Sequence, residues 1–268
     1  MMEQRSAAVN GLTVNYGEGP PNGPPLLLLH GSTSDWRDLG PLLPALQPHW
    51  HLYATDLRGH RQTDWTDAGY RAVDFFPDTI AFVQEQIGRP AMLLGHSLGA
   101  IVALGAAAAV PAQIRALILL DPPLRHLDTP MSKLVAGHWF RGVLGVLEGT
   151  QAPDTVFRRF FPETDQAGVR ALAERVSTVD PRSVEVLLND QFYDGFELTP
   201  LLSRVTCPAL LLYGQLERGG LVRPADAVVF ERQVSQGTAV QIEGAGHLLQ
   251  WEQPERVLAQ IAEFIARL

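Results

Sequence analysis

Between Met92 and Val102 the chain reads Met-Leu-Leu-Gly-His-Ser-Leu-Gly-Ala-Ile-Val, and this stretch leaves the backbone little choice. An apolar run stops at Gly95, Ser97 stands two residues from a glycine on either side, and small apolar residues follow. The pattern describes a buried strand turning sharply into a helix, with one hydroxyl left at the apex. A side chain at Gly95 or Gly99 would collide with neighbouring backbone in so tight a turn. A serine held there can attack a carbonyl carbon once a base takes its proton and N–H donors cradle the oxyanion. The structural alternative is a serine that only caps the helix starting at Leu98. Which reading holds depends on whether the rest of the chain supplies a base and an acid.

The surrounding pattern sets the elbow in a parallel sheet. Ala7 to Tyr16 reads as a hairpin turning at Asn10-Gly11. Leu26 to Leu29 is a continuous apolar run of the kind covered on both faces, and it ends at His30-Gly31-Ser32-Thr33. Trp36, Leu39, Leu42, Leu43 and Leu46 fall at helical spacing despite Pro41 and Pro44, so a short helix or irregular helical loop is expected there. Leu52–Thr55, Ala91–Leu94, Ile114–Leu120, Pro208–Gly214 and Ala239–Ile242 are the further strand segments. A helical stripe from Val73 to Ile87, with Asp74 as cap and Gly88 as stop, falls between the second and third parallel strands. A last amphipathic helix turns Val257, Leu258, Ile261, Phe264, Ile265 and Leu268 inward. Strands alternating with helices in this rhythm predict an α/β fold, a mostly parallel central sheet with helices on both faces. The rhythm breaks from 124 to 200, where helical patches and scattered aromatics such as Trp139, Phe157 and Phe161 replace strands. The expected division is a core of residues 1–123 and 201–268 with a helical cap inserted at 124–200.

Bulk properties narrow the function. With 268 residues and 46% hydrophobic content the chain can bury one large core, which argues against disorder. A formal charge of −8 gives no electrostatic attraction to nucleic acid or to an anionic membrane. Cys207 is the single cysteine, so neither an intrachain disulfide nor a thiolate metal cage can form. The first residues carry no signal-peptide core, and the longest apolar stretch, Leu98 to Val110, is too short to span a bilayer. A cytoplasmic protein, monomer or homodimer, acting on a small molecule without membrane insertion is expected. His49 and His51 would share a strand face, but with no third ligand in view no metal is expected.

His30-Gly31 after a strand, Asp56-Leu57-Arg58-Gly59-His60, Gly95-His96-Ser97-Leu98-Gly99, Asp121, Cys207-Pro208 with Gly214, and Gly244-Ala245-Gly246-His247 together carry a resemblance. The chain resembles the α/β-hydrolase fold superfamily, as a capped, esterase-like serine hydrolase, nearly end to end and most weakly at 124–200. The resemblance implies Ser97 as nucleophile and His247 as base, in the chain order Ser…acid…His. An imidazole suits that task because it takes the serine proton and later returns it near neutral pH. Glu217, just past a strand, stands where the family usually has Asp, and is expected to orient His247. Asp121 is the alternative acid. The oxyanion hole falls to the backbone N–H groups of Leu98 and Ser32. Asp56, Arg58, His60, His30, His96 and Trp36 are read as structural or packing groups.

The expected reaction is hydrolysis of a small carboxylic ester, thioester or lactone through an acyl-enzyme on Ser97, with no cofactor. The alternatives left open are a C–C bond hydrolase or lyase, a perhydrolase, and a ligand receptor that retains the triad. An arginine of the cap, such as Arg141, Arg158 or Arg159, aimed into the pocket would favour a carboxylate-bearing substrate.

Overall fold

In the computed structural model, which describes residues 2–124, 133, 135–195 and 197–268, Asn10 and Gly11 both adopt positive φ, 48° and 76°. Two left-handed residues make the tight turn whose twist suits a hairpin, and β1 (Glu3–Val9) pairs antiparallel with β2 (Leu12–Glu18) across it. Six more strands follow: β3 (Pro25–Leu29), β4 (His51–Thr55), β5 (Ala91–His96), β6 (Ile114–Leu120), β7 (Ala209–Tyr213) and β8 (Gly237–Gln241). They form one eight-stranded sheet in the order β1-β2-β4-β3-β5-β6-β7-β8. The pairs from β4 to β8 are all parallel, so only the hairpin end of the sheet is antiparallel.

Alternate residues of each strand serve opposite faces. Leu27, Leu29, Leu93, Leu117, Leu119 and Leu211 pack on one side with α2 (Ala72–Ala81) and α3 (Leu98–Ala109). Leu26, Leu28, Met92, Leu94, Ile118 and Leu212 pack on the other, against the 3-10 turn Trp36–Leu42, α1 (Leu43–Leu46) and α11 (Pro254–Ile265). Coverage on both faces is why these strands are unbroken apolar runs.

Between β6 and β7 the described residues hold helices only: α4 (Val135–Leu147), α5 (Pro153–Phe160), α6 (Gln166–Val176), α7 (Pro181–Leu188) and α8 (Leu198–Leu202). Part of the 124–200 stretch, residues 125–132, 134 and 196, lies outside the described residues. After β7 come α9 (Pro224–Gln233), then β8, α10 (Leu249–Glu252) and α11. Among the described residues no helix is long and apolar enough to cross a membrane.

Three local expectations are corrected. Asp74 is not the first cap of α2; it sits three residues in and accepts from the backbone N–H of Arg71 at 2.9 Å, one half of a capping box. Leu268 does not face inward: it lies past the end of α11 and is 56% exposed. His49 likewise precedes β4 and does not pair with His51 on a strand face; His51 Nε2 lies 2.9 Å from Glu18 Oε1 instead.

Candidate active site

The parallel strands all deliver their carboxyl ends to one edge of the sheet, where ligands of open α/β folds bind. His30 and Gly31 follow β3, Ser97 follows β5, Asp121 follows β6, and the loop carrying His247 follows β8. Ser97 has φ 53° and ψ −116°, a strained backbone for a residue with a side chain. The strain persists because the neighbours leave no alternative. A Cβ on Gly95 would lie 2.3 Å from the Gly99 carbonyl oxygen, and one on Gly99 would lie 2.2 Å from that of Leu29. Strand, turn and helix are thus in backbone contact, and the serine is held at the apex.

His247 is held from two sides. Its Nδ1 lies 2.7 Å from Asp121 Oδ2. Asp121 is 0% exposed and also accepts from the backbone N–H groups of Gly214 (3.1 Å) and Leu221 (2.8 Å), which fix the carboxylate. The expectation that Glu217 orients His247 is therefore corrected. Glu217 lies on the exposed 3-10 turn Leu216–Arg218 and accepts from Gln215 Nε2 at 3.1 Å. The loop after β7 doubles back: Gly220 N–H donates to Gln215 O, and Leu221 N–H then reaches Asp121. Its inner side serves Asp121, while Glu217 is on the outer one. Asp121, the alternative in the sequence, takes the position next to the imidazole.

The second hold comes from His96, whose Nε2–H donates to the His247 carbonyl at 3.0 Å. Its other nitrogen lies 3.1 Å from Asp38 Oδ2, which also accepts from Gln250 Nε2 at 3.1 Å. With a carbonyl on one side and a carboxylate on the other, the His96 ring is satisfied only when both nitrogens donate. Burial would lower its pKa, but the hydrogen bond and charge of Asp38 outweigh burial and leave it raised. Burial likewise pushes the Asp38 carboxyl up, and His96 outweighs it to hold that group down at about 2. The result is a buried ion pair behind His247. Its residue types were visible in the sequence, but the pairing joins segments distant along the chain.

The loop after β3 is held by two buried histidines, as their structural reading predicts. His30 Nε2 accepts from Leu57 N–H at 2.9 Å, and His60 Nε2 accepts from Thr33 N–H at 3.2 Å. Burial, reinforced by nearby His30, lowers the His60 pKa to about 3, so this ring stays uncharged. Asp56 accepts from Trp36 N–H at 2.9 Å, and Arg58 grips Asp78 through Nε (2.6 Å) and Nη2 (2.7 Å). Gly31 runs against the elbow, since a Cβ there would lie 3.2 Å from that of Ser97. This contact brings the backbone of Ser32 beside Ser97. Among the described residues the N–H groups of Ser32 and Leu98 have no hydrogen-bond partner. That leaves both free to meet a developing oxyanion.

Ser32, Ser97, Leu98 and His247 all line one cavity of about 470 Å³. Its walls are mainly apolar, with Trp139, Phe140, Phe161 and Leu172 from the helices between β6 and β7 facing Leu221, Leu248 and Trp251 of the core. None of Arg141, Arg158 and Arg159 lines it; Arg158 is turned to Asp154, Gln166 and the Thr164 carbonyl. The arginine that does line it is Arg175, which no sequence pattern marked. Among the described residues no group of three or more His, Cys, Asp or Glu side chains is arranged to hold a metal.

The family model described as the alpha/beta hydrolase family matches residues 26–260 of this chain. The 2-(acetamidomethylene)succinate hydrolase of Mesorhizobium japonicum is 27% identical, over 97% of this chain and 94% of its own length. The pimeloyl-[acyl-carrier protein] methyl ester esterase of Xanthomonas oryzae pv. oryzae is 28% identical, over 91% of this chain and 96% of its own. Among solved structures, the N-formylmaleamic acid deformylase of Pseudomonas putida S16 superposes with a TM-score of 0.81, at 22% identity, covering 97% of this chain and 100% of that one. The last likeness is one of fold.

Proposed function

The chain belongs to the alpha/beta hydrolase family and is a hydrolytic enzyme, and we propose that it cleaves a small carboxylic ester, thioester or lactone through an acyl-enzyme on Ser97. The observation that carries this reading is the buried Asp121 carboxylate 2.7 Å from His247 Nδ1, on an imidazole that shares a cavity with the strained Ser97. With Asp121 holding the Nδ1 proton, the Nε2 lone pair is the basic site. Ser97 Oγ attacks the carbonyl carbon as His247 Nε2 takes its proton. The oxyanion is met by the N–H groups of Leu98 and Ser32, the first at the positive end of α3. Collapse breaks the bond to the leaving oxygen or sulfur, which receives the proton from His247. Water then gives a proton to His247, attacks the ester on Ser97 and releases the acid, and the serine regains its hydrogen. The helices between β6 and β7 act as a cap that supplies the apolar wall and keeps bulk water from the acyl group.

One of these relatives is named for the cleavage of a methyl ester, which supports ester hydrolysis over C–C cleavage or perhydrolysis. The test is a burst assay with 4-nitrophenyl acetate and butanoate alongside labelling by a fluorophosphonate. Stoichiometric label on Ser97, and a fall of about 10³-fold or more in kcat for Ser97→Ala, are expected. An unlabelled Ser97 with an unchanged rate in the variant sinks the reading.

A further inference from the structure

Arg175 lies in the last turn of α6 and is the one guanidinium or ammonium group that lines the cavity among the described residues. Among the described residues its guanidinium has no hydrogen-bond partner, and its counter-charge is Asp35 Oδ2, 3.9 Å from Nε. That carboxylate is 4% exposed at its side chain and is shared. Arg61 Nη1 approaches it at 3.3 Å and Arg37 Nη1 at 3.8 Å, while Arg37 N–H donates to it at 2.8 Å. Asp38, the acid that lines the cavity, is already matched by His96 and Gln250. Three guanidinium groups around one available carboxylate leave positive charge uncompensated at this end of the cavity.

A second observation comes from the residue next to Asp35. Ser34, one residue before Asp35, is 9% exposed and lines the same cavity, and its Oγ is buried with no hydrogen-bond partner among the described residues. A buried hydroxyl left unpaired costs free energy unless a ligand completes it. Thr33 beside it is already engaged, accepting from Trp139 Nε1 at 3.0 Å. An idle guanidinium and an idle hydroxyl, both adjoining Asp35, ask for an acceptor with negative charge and more than one oxygen. A carboxylate meets that description and fits a wall with a single arginine.

We propose that Arg175 and Ser34 form a carboxylate subsite, so that the substrate is a carboxylate-bearing ester, of which the half-ester of a short dicarboxylic acid is the simplest. The subsite rests on the reading of Ser97 as nucleophile only for the turnover it predicts; its binding is separable. The remaining walls, aromatic and aliphatic, cover the methylenes between the two functional groups.

The experiment compares monomethyl glutarate with methyl 5-methylhexanoate, a neutral ester of matched shape, by pH-stat at neutral pH. Wild-type enzyme should favour the half-ester by about tenfold or more in kcat/KM, the scale of a charge-assisted hydrogen bond. The preference should fall to about one in Arg175→Gln, mostly through KM, shrink in Ser34→Ala, and persist in Arg158→Gln, a surface arginine of the same helical segment. A wild-type ratio near one, or a preference that survives Arg175→Gln, overturns the proposal. Calorimetric titration of Ser97→Ala with monomethyl glutarate separates the two readings. Binding that disappears when Arg175→Gln is added upholds the subsite even if Ser97 carries no acyl group, and no binding in Ser97→Ala overturns it even if neutral esters are hydrolysed.

Discussion

Asp121 commits both carboxylate oxygens to fixed donors, Oδ1 to the Gly214 N–H and Oδ2 to the Leu221 N–H and His247 Nδ1. An acid so held sets the tautomer of the imidazole and leaves Nε2 free to take a proton. Asp121→Asn keeps the shape but offers an amide that can present N–H to Nδ1, which favours the wrong tautomer. The expected loss in kcat is about 10²- to 10⁴-fold, whereas Glu217→Gln should stay within about twofold because it alters only an exposed contact to Gln215. Steady-state kinetics of the two variants on one ester decides between the carboxylates; a large loss in Glu217→Gln would reverse the assignment. Both acids satisfy the order Ser97…acid…His247, so chain order could not separate them. What separates them is the doubling back of the loop after β7, a conformation set by backbone hydrogen bonds such as Gly220 N–H to Gln215 O. Ser97 and His247 were legible because glycines at fixed offsets mark the turns that present them. Arg175 and Ser34 were not, since one arginine on a polar helix and one serine in a loop have no such signature.

The elements behind the site are joined by charge as well as packing. Asp38 lies in the 3-10 turn Trp36–Leu42, His96 ends β5, and Gln250 belongs to α10; Trp251 Nε1 adds a hydrogen bond to the Asp38 carbonyl at 2.8 Å. Because His96 also donates to the His247 carbonyl, the pair ties the His247 loop to the Ser97 turn. The sheet was readable in advance, since the unbroken runs at β3, β5 and β6 and the Asn10-Gly11 turn encode pairing locally. The Asp38–His96 pair was hidden because its members are distant along the chain, and either alone reads as a surface or packing residue. Its pH signature follows from opposite shifts. Asp38 is lowered from 3.8 to about 2, so its contribution is complete above 3.8 and lost as pH falls towards 2. His96 is raised above 6.5, so its contribution is complete below 6.5 and lost as pH rises through the raised value. Asp38→Asn removes both, and breaking a buried pair from one side costs about 3 kcal/mol or more. The gap in Tm between wild type and variant should be widest from about pH 4 to 6.5 and narrow on either side. Thermal melts across that range are the check, and a gap constant to pH 9 would mean the pair is uncharged.

At the scale of the molecule, the cavity exists because the helices between β6 and β7 close over the carboxyl edge of the sheet, and Trp139 is a main point of attachment. Its indole packs among Phe157, Phe160 and Phe161, with ring centroids 5.7, 5.3 and 5.8 Å away. Its Nε1–H reaches the Thr33 hydroxyl in the loop after β3, so one side chain links the helical segment to the wall beside Ser32. The sequence announced a break in rhythm over this stretch but not how it would seat, because amphipathic helices specify a buried face without specifying the partner. Trp139→Ala should therefore act on both stability and selectivity. Losing a packed indole costs about 3 to 5 kcal/mol, visible as a lower Tm. The same deletion enlarges the cavity beside Thr33, so short acyl groups should lose contacts while branched or longer ones gain room. Across a panel of 4-nitrophenyl esters the preference should shift towards the bulkier acyl groups by about tenfold. Trp139→Phe keeps most of the ring contacts but not the hydrogen bond to Thr33, and should move selectivity much less. If both variants keep the wild-type order of acyl preference, the acyl group does not lie against this wall, and it must extend along the core side of the cavity, past Leu221 and Trp251.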